Sequence, residues 1–162
     1  MPRCRRPLLL LSLLATLAGC STPPAAPGAS GGFTEKDLAQ LKFLQGRWQG
    51  KALDGSAFFE EYDFAEPRVF RSRRYADASF TKVTSTSTVA LKAGDVISTW
   101  GPFSWKAVSL QSGSACFEPL KAPSAFCWER VDASHVNVTQ RWTEAAGKAG
   151  SHVLPLTLLP KR

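Results

Sequence analysis

The feature that most constrains the fold is an alternation of apolar and polar residues with a period of two, which begins near residue 47 and runs almost to the end of the chain. Such a period places successive side chains on opposite faces of a β-strand, and turn residues such as Asp54-Gly55 and Gly101-Pro102 interrupt it at short intervals. The pattern predicts strands over Arg47 to Leu53, Ala57 to Phe64, Arg68 to Tyr75, Phe80 to Leu91, Asp95 to Trp100, Phe103 to Leu110, Ser114 to Glu118, Ala125 to Val131, His135 to Trp142 and His152 to Leu159. Because a long meander exposes its edges unless it closes, we expect an all-β domain, a single antiparallel up-and-down β-barrel of about 8 to 10 strands.

A short helix is expected before the first strand. Thr34 is suited to the N-cap position, and Glu35 and Asp37 follow in the first turn, where carboxylates favour the positive end of the helix dipole. The helix should run over about Glu35 to Phe43 and end before Gly46.

The first twenty residues have the order of a secretory leader: three arginines, an apolar run from Leu8 to Ala15, and then Leu17-Ala18-Gly19-Cys20. A membrane-spanning helix is the alternative, but the run is shorter than the roughly 20 apolar residues that a bilayer requires. The last four residues resemble the lipobox of bacterial lipoproteins. The resemblance implies cleavage before Cys20, acylation of Cys20 and anchoring to a lipid bilayer. Ser21, rather than Asp, in the next position implies the outer membrane, with the domain facing the periplasm.

The chain therefore divides into a signal peptide over residues 1–19, a lipidated cysteine with a flexible tether over residues 20–33, and one barrel domain over residues 34–162. The tether segment up to Gly32 contains neither charges nor large apolar side chains, so it has nothing to bury. The net charge of the full chain is +7, but three of its 20 basic residues lie in the expected leader, which leaves 17 basic and 13 acidic residues, or +4, for the rest. Such a charge is ordinary for a soluble domain, and no nucleic-acid motif accompanies it, so no nucleic-acid partner is expected.

Two cysteines, Cys116 and Cys127, remain for the domain, and an oxidising compartment favours a disulfide between them. A hairpin that pairs Phe117 with Phe126 also places the two cysteines opposite each other. We therefore predict a cross-strand disulfide on the outer face, with the Phe pair and Trp128 inside. Two free buried thiols are the alternative.

The junction of helix and first strand carries Gly46-Arg47-Trp48, a Gly-x-Trp sequence. This sequence resembles the opening signature of lipocalin-like, or calycin, barrels. The resemblance implies that Gly46 lets the chain turn into the barrel and that Trp48 plugs its closed end. It also implies a basic residue on a late strand that packs across the tryptophan, for which Arg141 is the candidate.

Strand alternation suggests where a ligand could bind. Glu60 and Tyr62 share a face that is otherwise apolar, and a tight return could place Arg71 or Arg73 opposite Glu60. We expect such a pair to orient the polar end of a ligand in a cavity. The alternative places these charges on a solvated outer face. Trp105 and Trp128 would line the cavity or serve as core.

No nucleophile elbow, phosphate loop, metal-ligand set or pair of carboxylates with a base is present, so we expect neither an enzyme nor a bound metal. His135 and His152 lack a supporting haem motif, and no cofactor is expected. The run of serine and threonine from Thr84 to Thr88 is compatible with a strand whose two faces both contact solvent.

Two functions remain open for such an envelope lipoprotein. In the first, the barrel binds a small apolar or amphipathic ligand. In the second, the barrel is filled and its outer surface acts on another envelope protein or on the cell wall. The volume of the interior cavity separates the two.

Overall fold

The computed structural model describes residues 32–145 and 147–160. Helix α1 spans Glu35–Leu38 and continues as a 3₁₀ helix over Ala39–Leu44. Ten strands follow: β1 (Gly46–Lys51), β2 (Ala57–Glu66), β3 (Val69–Tyr75), β4 (Val83–Lys92), β5 (Asp95–Trp100), β6 (Phe103–Gln111), β7 (Ser114–Lys121), β8 (Ala125–Arg130), β9 (His135–Thr143) and β10 (Ala149–Leu158). The expected signal peptide, Cys20 and residues 20–31 of the expected tether lie outside the described residues.

Each strand pairs with its neighbours in the sequence, and β1 also pairs with β10, so the sheet closes into an antiparallel barrel. The predicted fold class is confirmed, and the number of strands is ten. Closure leaves no long exposed strand edge, which is the reason for which a barrel was expected.

Helix α1 and the 3₁₀ helix lie across one end of the barrel, which we call the closed end. Thr34 and Asp37 form a reciprocal capping box that starts the helix. Leu38, Leu41 and Leu44 have no exposed surface and belong to the same apolar cluster as the strands beneath them. Within the described ranges, no helix has the length and apolar character that crossing a bilayer requires.

Both ends of the described chain are held at the closed end. The backbone N–H of Phe33 donates to the carbonyl of Gly94, in the turn between β4 and β5, at 2.7 Å. The N–H groups of Leu158 and Leu159 donate to the carbonyls of Ser134 and Arg47 at 2.7 and 2.8 Å. Of the residues that the structure describes, those at the opposite end, which we call the mouth, belong to turns that connect strands.

The structure starts β4 at Val83, three residues later than the sequence predicts. Phe80 has a φ of 56°, a left-handed conformation that is incompatible with an extended β-strand. Its ring packs edge-on against Phe59 at 5.9 Å between ring centroids, and the guanidinium of Arg47 lies 4.8 Å from its centroid. The segment before β4 thus folds over the outer face of the barrel, where Phe80 is buried against the outward-facing side chains of Phe59 and Arg47.

Candidate functional site

A cavity of about 340 Å³ occupies the barrel interior on the mouth side. Its lining includes Trp100 and Phe103, which flank the turn between β5 and β6, and Pro123 in the turn between β7 and β8. The volume falls within the range of about 300 to 1,000 Å³ that is typical of small-molecule sites. The barrel is therefore filled at its closed end and open inside at its mouth.

The cavity has two chemically different walls. One wall, from β6 to β10 with a contribution from β2, is mainly apolar and comprises Phe58, Trp105, Phe126, Trp128, Val138 and Leu154, with Gln140 of β9 as a polar member. The other wall, from β2 to β5, is polar and consists of Glu60, Tyr62, Ser72, Arg74, Ser85, Ser87 and Ser98. A molecule with one polar and one apolar side matches such a pair of walls.

Serines form most of the polar wall because of the alternation within β3, β4 and β5. Ser72 pairs directly with Ser87, and Arg74 pairs with Ser85, so their side chains stand side by side on the inner face. In the run from Thr84 to Thr88, Ser85 and Ser87 line the cavity, whereas Thr88 bonds Thr99 across the outer face at 2.9 Å. Small side chains on these strands leave the space that forms the cavity.

Glu60 is the centre of the polar wall. Its Oε1 accepts hydrogen bonds from Arg74 at 3.0 Å from Nε, with Nη2 at 2.8 Å, and its Oε2 accepts from the hydroxyl of Tyr62. Burial, together with the negative charge of Glu60, raises the pKa of Tyr62 well above its usual value. The phenol therefore keeps its proton and remains a donor to the carboxylate.

The expectation that Arg71 or Arg73 faces Glu60 is wrong, because Glu60 pairs with Arg74. The reason is a β-bulge: Glu66 pairs with Val69, but the register shifts by one residue before Phe64 pairs with Phe70. Without the shift, the arginines at odd-numbered positions would share a face with Glu60. One extra residue in a strand shifts its pairing with the neighbouring strand by one position. Beyond the bulge, the neighbour's side chains that would have shared a face with a given residue therefore lie on the opposite face.

Arg71 and Arg73 instead belong to an outer cluster on β1, β2 and β3, which comprises Arg47, Glu61, Asp63, Arg71, Arg73 and Tyr75. Arg73 Nη2 lies 2.9 Å from Glu61 and 3.0 Å from Asp63, and Arg71 Nη2 lies 2.7 Å from Asp63. Within the described residues, the buried Nε of Arg73 has no hydrogen-bond partner. The cluster alternates positive and negative groups along the barrel wall, outside the cavity.

The pKa values of the two outer carboxyls respond to these neighbours. Burial alone raises the pKa of Glu61, but hydrogen bonds from Tyr75 and Arg47 and the charges of Arg73 and Arg47 outweigh it and lower the pKa. The hydrogen bond from Arg71 is the main reason that the pKa of Asp63 is lowered. Both groups are therefore ionised at neutral pH, as a network of ion pairs requires.

The predicted disulfide is confirmed. Cys116 and Cys127 are bonded, with their Cα atoms 4.1 Å apart, in the register that also pairs Phe117 with Phe126. The two phenylalanine rings stack at 4.8 Å between centroids, and Trp128 packs edge-on against both. The hairpin therefore holds one face of aromatic residues against the core and cavity and the disulfide on the other face.

Gly46 and Trp48 lie at the closed end. Gly46 has a φ of +137°, and a Cβ atom there would lie 2.8 Å from Cδ1 of Leu158. Trp48 is 1% exposed, and its Nε1 donates to the carbonyl of Leu44 at 2.7 Å. Arg141, the expected partner of the tryptophan, lies on the outer face beside the disulfide, with Nη2 at 3.5 Å from Sγ of Cys127.

Sequence reasoning placed Glu60, Tyr62, Trp105 and Trp128 among the lining candidates, and all four line the cavity. It missed Arg74 and the inward-facing serines. Arg74 could have been predicted only from the bulge in β2. Neither Ala65 nor Glu66, which lie at the bulge, is a turn residue that would have indicated it. The serines of β4 could have been predicted, because Thr and Ser alternate from Thr84 to Thr88. Such an alternation places the small serine side chains on one face of the strand and the β-branched threonine side chains on the other.

In the described part of the chain, no group of three or more His, Cys, Asp or Glu residues is arranged to hold a metal ion. No protein-family model matches the chain, and no curated protein matches it. Seven chains of solved structures match it. One of them, a redesigned beta barrel, is 13% identical over 75% of this chain and 96% of that chain, with a TM-score of 0.35.

Proposed function

We propose that the protein binds a small amphipathic molecule in the cavity on the mouth side of its barrel. The observation that carries the proposal is the cavity itself, about 340 Å³ in volume, with an aromatic wall facing a wall of hydroxyls and a compensated charge pair. Aromatic rings bind the apolar side of a ligand, while a few fixed polar groups set its orientation.

The contrast between the two ends of the barrel also supports a binding role. At the closed end, Trp48 and Phe70 are 1% exposed and belong to the same apolar cluster as Leu38, Leu41 and Leu44 of the helical segment. On the mouth side, the inward positions of β4 and β5 are occupied by Ser85, Ser87 and Ser98. A barrel that acted only through its outer surface would have no need for an unfilled, hydroxyl-lined interior.

We also propose that the protein is anchored in the cell envelope through acylated Cys20, with the barrel in the periplasm. The support is the sequence Leu17-Ala18-Gly19-Cys20 after a basic and apolar leader. Several acyl chains on one cysteine would give stable attachment, because a single chain binds a bilayer only marginally.

Ligand binding is tested by native mass spectrometry of the chain from Ser21 to Arg162, secreted into a bacterial periplasm with a signal peptide that is not acylated. We expect an extra mass that is lost on denaturation. The variant Ser98→Phe, which places a ring in the cavity, should lose that mass and should bind the uncharged dye N-phenyl-1-naphthylamine at least tenfold more weakly. Ser98 is 4% exposed and faces inward.

Thr99→Phe is the matched control, since Thr99 is the next residue and bonds Thr88 on the outer face. It should keep both the extra mass and the dye affinity. Bare wild-type protein that also fails to bind the dye would contradict the proposal and favour a barrel that acts on an envelope protein.

Acylation is tested by expressing the full chain with Cys20→Ser in a bacterium. The wild-type protein should sediment with membranes and carry the mass of a diacylglycerol thioether, and the variant should carry no lipid. Cys4→Ser, in the expected leader, is the control and should leave lipidation unchanged. An unmodified Cys20 in the wild-type protein would refute the anchor.

A further inference from the structure

The charges within the cavity are balanced by the protein itself. Glu60 and Arg74 are the charged side chains among the residues that line the cavity. Both guanidinium contacts of Arg74 go to Oε1 of Glu60, at 2.8 and 3.0 Å, and Oε2 is occupied by the hydroxyl of Tyr62. The carboxylate therefore has a donor on each oxygen, and the cation already has its counter-ion.

Packing fixes this pair in place. The guanidinium of Arg74 lies over the ring of Phe58, 4.6 Å from its centroid. The ring of Phe58 in turn covers Gly50, where an added Cβ would lie only 2.0 Å from the ring. Tyr62 is stacked against Phe70 and packs edge-on against Trp128, both at 6.0 Å between centroids. A ligand thus meets an ion pair whose members are oriented before it binds.

Among the described residues that line the cavity, a ligand that carries a carboxylate would find no free cation. It would have to share Arg74 with Glu60, which places two negative charges close together, or displace Glu60 and leave that carboxylate without its partner. An uncharged ligand leaves the pair intact. The hydroxyls of Ser72, Ser85, Ser87 and Ser98 can both donate to and accept from its hydroxyl or amide groups.

We propose that the cavity selects uncharged amphipathic molecules that carry hydroxyl or amide groups, and that Glu60 excludes carboxylates by occupying Arg74. This inference rests on the proposed ligand-binding function. Glu60 acts as a specificity residue, since it removes from the cavity the positive charge that would otherwise attract a fatty-acid anion.

The test compares two ligands with the same twelve-carbon chain, monododecanoylglycerol and dodecanoate, as competitors of N-phenyl-1-naphthylamine on the chain from Ser21 to Arg162 at pH 8. We expect the glycerol ester to bind the wild-type protein at least tenfold more tightly than the carboxylate. In Glu60→Gln, which frees Arg74, dodecanoate should bind at least tenfold more tightly than it binds the wild-type protein.

Glu61→Gln is the matched control. Glu61 adjoins Glu60 in the chain but belongs to the outer cluster, where it pairs with Arg47 and Arg73. This variant removes the same charge from the opposite side of the wall and should leave both affinities unchanged. Equal responses of the two variants to dodecanoate would overturn the role of Glu60.

The wild-type comparison does not depend on either variant folding. Dodecanoate that binds the wild-type protein as tightly as the glycerol ester would overturn the selectivity while leaving ligand binding in place. If the dye does not bind at all and native spectra show bare protein, the proposed function itself fails. The two failures are therefore distinguishable.

Discussion

Replacing Trp48 with alanine is expected to lower the free energy of unfolding by about 3 to 5 kcal/mol, the range found when a large buried aromatic side chain is deleted from a core. Trp48 is 1% exposed and belongs to the apolar cluster that joins the strands to the helical segment. Its Nε1 donates a hydrogen bond of 2.7 Å to the carbonyl of Leu44 and so joins the last residue of the 3₁₀ helix to β1. The substitution therefore removes packing and leaves a buried carbonyl without its donor.

The measurement is urea unfolding of the chain from Ser21 to Arg162, followed by far-ultraviolet circular dichroism because removing Trp48 changes the fluorescence. Trp48→Phe keeps a ring in the core but loses the hydrogen bond, so its loss should be smaller than that of the alanine variant. Trp100→Ala is the control: Trp100 lines the cavity at the mouth and is 44% exposed, so its removal should change stability little. Equal losses for the alanine variants at positions 48 and 100 would show that Trp48 does not hold the closed end.

Loss of the disulfide is expected to lower the free energy of unfolding by about 2 to 3 kcal/mol. Cys116 and Cys127 are 11 residues apart, and the constraint that such a short loop places on the unfolded chain is at the lower end of what disulfides contribute. The bond also fixes the hairpin of β7 and β8, which carries Phe117 and Trp128. Loosening this hairpin should disturb the aromatic wall of the cavity as well as global stability.

The chain from Ser21 to Arg162 contains no other cysteines, so reduction acts on this bond alone. The urea midpoint of the wild-type protein should fall when reductant is added and should then match that of Cys116→Ala/Cys127→Ala. The midpoint of the double variant should not respond to reductant. A wild-type midpoint that is unchanged by full reduction would contradict a stabilising role for the bond.

The sequence predicted best where two independent patterns had to agree. The hairpin of β7 and β8 is the clearest case, because a single register satisfies both the cysteine pair and the phenylalanine pair. Closure of the sheet followed from the number of strands and the absence of a second helical pattern. Such features depend on local alternation, which any stretch of strand displays directly.

The composition of the polar wall could not be predicted in the same way, because it depends on a single register shift. The bulge in β2 makes Arg74 the cross-strand partner of Glu60 and moves Arg71 and Arg73 from the inner face to the outer face. Alternation alone reports which residues share a face of a strand, but it does not report how that face is aligned with the next strand. Alternation also fails to explain the burial of Phe80, because this side chain packs against Phe59 on the outer face of the barrel.

Phe33 is tied to the turn at Gly94, and Leu159 is tied to Arg47, so both ends of the described chain leave the barrel on the side of the helix. A bilayer, bead or sensor chip that holds the protein by either end is therefore joined to the barrel at the closed end, opposite the mouth. The turns at the mouth can accordingly be altered or labelled without interfering with attachment.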